Sequence, residues 1–171
     1  MDAAEVEEAE WLLLGPGEWD ACDVHIPSGL KVHGVEGPLL TELVCDAPIN
    51  PQCYADPGFC PTAGVITLED GGTMLSGVTV WCVDGACNVV SPAVNIIGPD
   101  AILTHTMIGL HSEGGQPLGI QVDLGGGDWE TELAVVHISH VGVIGGHTGI
   151  SIKHPELADT NYGKLKVNIN D

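Results

Sequence analysis

Short aliphatic stretches alternate along this chain with breaks of glycine, proline, asparagine and aspartate. Val65–Leu68, Ala93–Ile97, Leu118–Leu124 and Gly149–Lys153 are four such stretches. Aliphatic and β-branched runs of this length between turn-forming residues predict strands. The same reading predicts strands over Asp23–Ile26, Leu30–His33, Leu39–Cys45, Thr73–Cys82, Ala101–Leu110, Glu132–Val143 and Lys164–Ile169. One short helix fits the start, with Asp2 as its cap and Ala3–Ala9 as acceptable helix formers whose acids favour an N-terminal turn. Trp11–Leu14 then runs into Gly15-Pro16-Gly17, through which neither a helix nor a central strand continues. The expected fold class is all-β, with a short N-terminal capping helix.

The pattern also repeats. Laid over Ala93–Ile108 at an offset of 28 residues without a gap, Val65–Val80 places Ile66 on Val94, Leu68 on Ile96, Met74 on Ile102, Leu75 on Leu103 and Val80 on Ile108. The turn Asp70-Gly71-Gly72 falls on Gly98-Pro99-Asp100. A repeat of this length signals a solenoid, in which each unit buries its apolar face only by stacking on a neighbour. Two or three short strands separated by tight turns make one coil of a parallel β-helix. Weaker matches follow at 32 residues, Leu103 to Val135, and at 30, Val135 to Leu165. Asp46–Pro61, Ser112–Gln116 and Gly125–Gly127 read as loops. The whole chain, residues 1–171, is then a single domain of about five coils.

Charge narrows the partners. Twenty-four carboxylates face four lysines and no arginine, a formal net charge of −20. Nucleic-acid binding requires lysine and arginine to neutralise phosphates, so that class is excluded. Anionic membrane surfaces are disfavoured likewise, and no apolar run reaches the roughly 20 residues of a membrane-spanning helix.

Six cysteines suggest an oxidising compartment. Asp84-Gly85 is a two-residue hairpin signal that would set Cys82 opposite Cys87, within the roughly 4.4–6.8 Å Cα separation of a disulfide. Cys53 and Cys60 flank the turn Asp56-Pro57-Gly58, which leaves Cys22 and Cys45 for each other. No C-x-x-C spacing supports zinc instead. No secretory signal follows Met1, so the expected origin is a domain excised from a larger exported protein.

Leu12-Leu13-Leu14-Gly15-Pro16-Gly17-Glu18-Trp19, followed by Ile26-Pro27-Ser28-Gly29-Leu30-Lys31-Val32-His33-Gly34, resembles the opening of pectin-lyase-like β-helix proteins. That resemblance implies a right-handed parallel β-helix and leaves activity open, because the superfamily holds lyases, glycosidases and non-catalytic surface proteins. Lyases of the superfamily work on polyuronates with arginine or lysine near the abstracted proton, which a chain without arginine supports poorly. Glycosidase chemistry needs a pair of carboxylates roughly 5–9.5 Å apart. Candidates abound (Glu69, Asp70, Asp84, Asp100, Asp123, Asp128, Glu130, Glu132), yet most fall in turns. Where polygalacturonases carry G-H-G and an adjacent Asp pair, this chain has Gly146-His147-Thr148-Gly149 and no such pair.

Three further groups of residues carry candidate binding chemistry. Strand alternation turns Trp81 outward if Val80 faces the core, and Trp129 and Tyr162 lie in loops; all three could stack on sugar rings. Asp123 and Asp128 bracket a glycine loop with Glu130 nearby, an oxygen-rich set suited to calcium. His137 and His140, three apart on a strand, should point to opposite faces, while the 32-residue offset sets His105 beside His137 as a plain ladder pair. Trp11 and Trp19 read as core or cap residues.

The expected role is a non-catalytic extracellular or cell-surface module, adhesive or structural, contacting polysaccharide or cell-surface glycan and able to stack end to end through open coil edges. The alternatives are a polysaccharide hydrolase with paired carboxylates and a calcium-stabilised spacer.

Overall fold

The structure is a computed structural model that describes residues 10–46, 65–69, 71–83, 92–111, 116–124, 134–153 and 165–170. The expected N-terminal helix lies outside the described residues. Within them the chain is all-β, with fourteen strands: β1 Trp11–Leu14, β2 Gly17–Asp20, β3 Val24–Ile26, β4 Lys31–Gly34, β5 Thr41–Cys45, β6 Ile66–Leu68, β7 Met74–Ser76, β8 Thr79–Cys82, β9 Val94–Ile96, β10 Ile102–Leu110, β11 Leu118–Asp123, β12 Ala134–Gly145, β13 Thr148–Lys153 and β14 Leu165–Asn170. Every pairing between them is parallel.

The strands form two sheets. One holds β3, β6, β9, β11 and β13 in the order β13-β11-β9-β6-β3, and the other holds the remaining nine. The chain visits the larger sheet with β1 and β2, crosses to the smaller with β3, and repeats this with β4, β5 and β6, then β7, β8 and β9. β10 then does the work of two strands, since its first half pairs with β7 and its second half with β8.

The 28-residue repeat is present in the pairing register. Ile66 lies beside Val94 and Leu68 beside Ile96 across β6 and β9. Met74 and Leu75 lie beside Ile102 and Leu103, and Val80 beside Ile108. The later offsets differ from expectation: Leu103 pairs with Ile138, a spacing of 35 rather than 32, and Leu165 pairs with Ala134 rather than Val135. The error of three residues is odd, so it would have turned the wrong face of β12 inward. Val136 and Ile138 occupy the interior, whereas Val135 is half-buried.

Alternation within strands and register between them produce columns of aliphatic side chains. One runs Val32, Leu75, Leu103, Ile138; another Leu43, Val80, Ile108, Val143; two more, on the smaller sheet, run Val24, Ile66, Val94, Ile120, Ile150 and Ile26, Leu68, Ile96, Val122. Nearly all of these side chains belong to one buried cluster. Among the described residues the columns end in the open at the first strands: Leu12 aligns with Val32 and Trp19 with Leu43, yet both are nearly half exposed. The Trp19 indole donates to the Gly15 carbonyl at 3.3 Å, and its exposure shows that it is not a core residue. Trp11 instead aligns with outward-facing Lys31, whose ammonium sits 5.3 Å from its ring, and is not a core residue.

The expected strand Thr73–Cys82 is broken into β7 and β8. Gly77 sits between them with φ of +67°, and a Cβ there would meet the Gly34 carbonyl oxygen at 2.5 Å, so the corner admits only glycine without rearrangement. The same corner recurs in the next two passes at His105 and His140, with φ of +47° and +53°. β2 is an additional strand that the polar sequence Gly-Glu-Trp-Asp conceals.

Cys22 and Cys45 are disulfide-bonded across 23 residues, tying the start of β3 to the end of β5. Cys82 is also disulfide-bonded, but its expected partner Cys87 lies outside the described residues, as do Cys53 and Cys60.

Two stability measurements follow from this packing. Leu103→Ala removes a fully buried side chain from the middle of a column and should cost about 2–5 kcal/mol in urea denaturation. Replacing Cys22 and Cys45 together by alanine releases a loop of 23 residues and should cost on the order of 3 kcal/mol by the chain-entropy estimate.

A candidate binding groove on the larger sheet

Outward positions of β5, β8, β10 and β12 form a shallow groove. Alternation in β5 buries Thr41, Leu43 and Cys45 and leaves Glu42 and Val44 outward. Register carries those positions onward: Glu42 lies beside Thr79 and Thr79 beside Met107, while Val44 lies beside Trp81, Trp81 beside Gly109 and Gly109 beside Ile144. The resulting cavity, of about 170 Å³, is walled by Pro38, Leu39, Trp81, Met107 and Ile144, with Glu42 and Thr79 as its polar members.

Trp81 faces outward, as strand alternation with the buried Val80 requires, and is half-buried. It lies against the chain because Gly109 has no side chain: a Cβ at Gly109 would fall 2.0 Å from Cζ3 and 2.1 Å from Cε3 of the indole. The benzo edge of the ring therefore occupies the space that any other residue's Cβ would need. Leu39 and Ile144 are strongly exposed, so the groove offers apolar surface directly to solvent. Isolated exposed leucines are ordinary, but a tryptophan, two exposed aliphatics and a methionine around one concavity form a patch of the kind that binding sites use.

Next to Glu42 of the groove, the pairing of β2 with β5 sets a second acidic residue. Glu18 and Glu42 are register partners on β2 and β5, both on the outward side. Strand neighbours lie about 4.8 Å apart along the ladder. Neither residue was among the acidic candidates read from the sequence.

The other candidates are not brought into this groove. Trp129 and Tyr162 lie outside the described residues, as do Asp128 and Glu130. Asp123 stands on the smaller sheet, where its carboxylate is paired with the Lys153 ammonium at 3.4 Å. Among the described residues no group of three or more histidine, cysteine or acidic side chains is placed to hold a metal ion. His105 does not stack beside His137; it stacks on His140, with ring centroids 4.6 Å apart and an interplanar angle of 10°. The left-handed backbone at His140 interrupts strand alternation, so His137 and His140 are both exposed rather than on opposite faces.

Two of the groove's residues were within reach of the repeat. The 28-residue offset carries Trp81 to Gly109, and alternation then places Met107 on the same outward face. Ile144 was out of reach, because it depends on the 35-residue spacing between β10 and β12.

No protein-family model matches the chain, and neither the curated proteins nor the solved structures contain a match to it.

Gly109→Ala should displace the indole of Trp81. The expected result is a changed tryptophan fluorescence spectrum, and the change should vanish when Gly109→Ala is made in a Trp81→Phe background. Identical spectra for wild type and Gly109→Ala would mean that the ring does not rest on Gly109.

Proposed function

We propose that the chain is a right-handed parallel β-helix serving as an exported surface module that contacts neutral carbohydrate through the groove at Trp81. The observation that carries this reading is the outward indole seated on Gly109 and flanked by apolar walls. The C–H face of a pyranose is apolar and stacks on tryptophan, while its hydroxyls seek acceptors at the rim. Glu42 and Thr79 supply such groups. A polyuronate would meet a carboxylate rather than a cation there, so the ligand is neutral.

Several features support the fold. Two parallel sheets are visited in turn by successive strands, and parallel strands linked by a crossover almost always take the right-handed connection. The opening motif that resembles pectin-lyase-like proteins coincides with β1 to β4. A disulfide and the strongly acidic composition suit an oxidising, extracellular setting. The N-terminal capping helix expected from the sequence belongs to this reading.

A second reading has a specific observation behind it. Glu18 and Glu42 are adjacent on neighbouring strands, and a pair of neighbouring carboxylates is what glycosidase chemistry needs. Non-catalytic binding is preferred because Glu18 is exposed to solvent and lies outside the residues that wall the groove.

Titration calorimetry with neutral oligosaccharides, run beside an assay for reducing-end release, separates the two. Binding without product, weakened at least about tenfold by Trp81→Ala (roughly 1.4 kcal/mol), is the expected outcome. Time-dependent release abolished by Glu42→Gln would establish the hydrolase. Absence of any binding to a broad neutral glycan set would sink the carbohydrate reading altogether.

A further inference from the structure

The corner between the two halves of the larger sheet carries histidine where the fold asks only for glycine. Gly77 makes this turn in one pass with φ of +67°, and its N–H donates to the carbonyl of His105, its counterpart in the next pass, at 3.0 Å. His105 and His140 make the same turn with φ of +47° and +53°. A left-handed conformation costs a residue with a Cβ roughly 1–2 kcal/mol, a cost that glycine avoids and that asparagine, aspartate and histidine bear more readily than other side chains. The turn therefore admits histidine without requiring it twice in succession, and non-glycine residues held in this region concentrate at functional sites.

The side chains have a matching arrangement. Register sets Thr104 beside Ser139 and Thr106 beside Val141, so His105 and His140 are direct neighbours on adjacent strands. Their rings are stacked at 4.6 Å and nearly parallel, and both are exposed. His105 is oriented by a 2.9 Å hydrogen bond between its Nδ1 and Thr104 Oγ1, and Thr104 is itself bonded to Ser139 Oγ at 2.9 Å. A hydrogen bond at one ring nitrogen that fixes the orientation of the other is the support that metal-binding histidines ordinarily receive.

We propose that His105 and His140 together bind one divalent transition-metal ion of the class that prefers imidazole nitrogen, Cu²⁺, Ni²⁺ or Zn²⁺, and that the ion clips β10 to β12. Oxygen-seeking Ca²⁺ and Mg²⁺ do not compete for it. Bonds of about 2.0–2.1 Å at a tetrahedral angle require the two nitrogens to stand about 3.4 Å apart. The rings are now stacked with centroids 4.6 Å apart and their in-plane lone pairs nearly parallel. Binding one ion therefore requires the exposed His140 ring to rotate about its side-chain torsions until a nitrogen converges with the His105 nitrogen that Thr104 leaves open. With two protein ligands, the remaining coordination positions belong to water, and the site depends on both rings. The acidic chain, with a net charge of −20, raises the local concentration of any cation.

The test uses the intact chain, titrated calorimetrically with Zn²⁺ or Cu²⁺ in the presence of excess Ca²⁺. His105→Asn and His140→Asn are made singly, since asparagine tolerates the left-handed turn and keeps the corner folded. His147→Asn, at an exposed histidine outside the pair, is the control. Each of the first two variants should weaken binding at least about tenfold, the control should not, and saturating metal should raise the melting temperature of wild type but of neither asparagine variant. Absence of binding, equal affinity in wild type and either variant, or a loss shared by the control would each overturn the site. None of these outcomes bears on the groove at Trp81, which lies on other residues.

Discussion

Everything else in this molecule depends on the in-register stacking of aliphatic side chains between parallel strands. A three-residue strand such as β6 buries too little to be stable alone. Ile66 and Leu68 become interior only because Val24 and Ile26 lie on one side of them and Val94 and Ile96 on the other. Each pass of the chain therefore supplies the hydrophobic surface for the next, and burial at roughly 25 cal/mol per Å² accumulates along the columns rather than at a single centre. The same dependence leaves Leu12 and Trp19 exposed at the first strands, where, among the described residues, the columns have a neighbour on one side only.

Parallel register also makes the outer surface. A position that faces outward in one pass faces outward in the next, so side chains distant in sequence become adjacent without a dedicated loop to hold them. Trp81 rests on Gly109 for this reason, Glu18 stands beside Glu42, and His105 stacks on His140. The scaffold is rigid and repetitive, and chemistry enters through departures from the repeat: a glycine where an indole must lie, a histidine where a glycine would turn more cheaply. Side chains on paired strands are held more firmly than side chains on loops.

The sequence made much of the fold legible, and the misreadings have definite causes. The 28-residue match at Val65–Val80 was unambiguous because no residue is inserted between the corresponding strands and the aliphatic positions coincide throughout. Beyond Leu110 the connecting segments vary in length, and β12 offers Val135, Val136 and Ile138 as near-equivalent aliphatic choices. Only packing distinguishes them, since a shift by an odd number turns the strand over. β2 was overlooked because three of its four residues are not strand formers by composition; it is a strand by pairing with β5. The histidine pair was misassigned for two separate reasons, the wrong spacing and the left-handed turn at His140 that defeats simple alternation. Of the groove, Trp81 was legible from alternation, and Gly109 and Met107 were available from the repeat, while Leu39, Glu42 and Ile144 required three dimensions.

By itself, then, the amino-acid order determined where most of the strands lie, that the strands of Val65–Val80 and Ala93–Ile108 repeat, and which side of most strands is apolar. These are local properties, written in spacing and residue type. The tertiary structure alone decided which strand lies beside which after residue 110, and therefore which outward side chains meet. Adjacency between passes depends on the summed length of the connections and on which of several aliphatic residues fills a column. Both are settled by the packing of the whole interior, a quantity no local pattern contains.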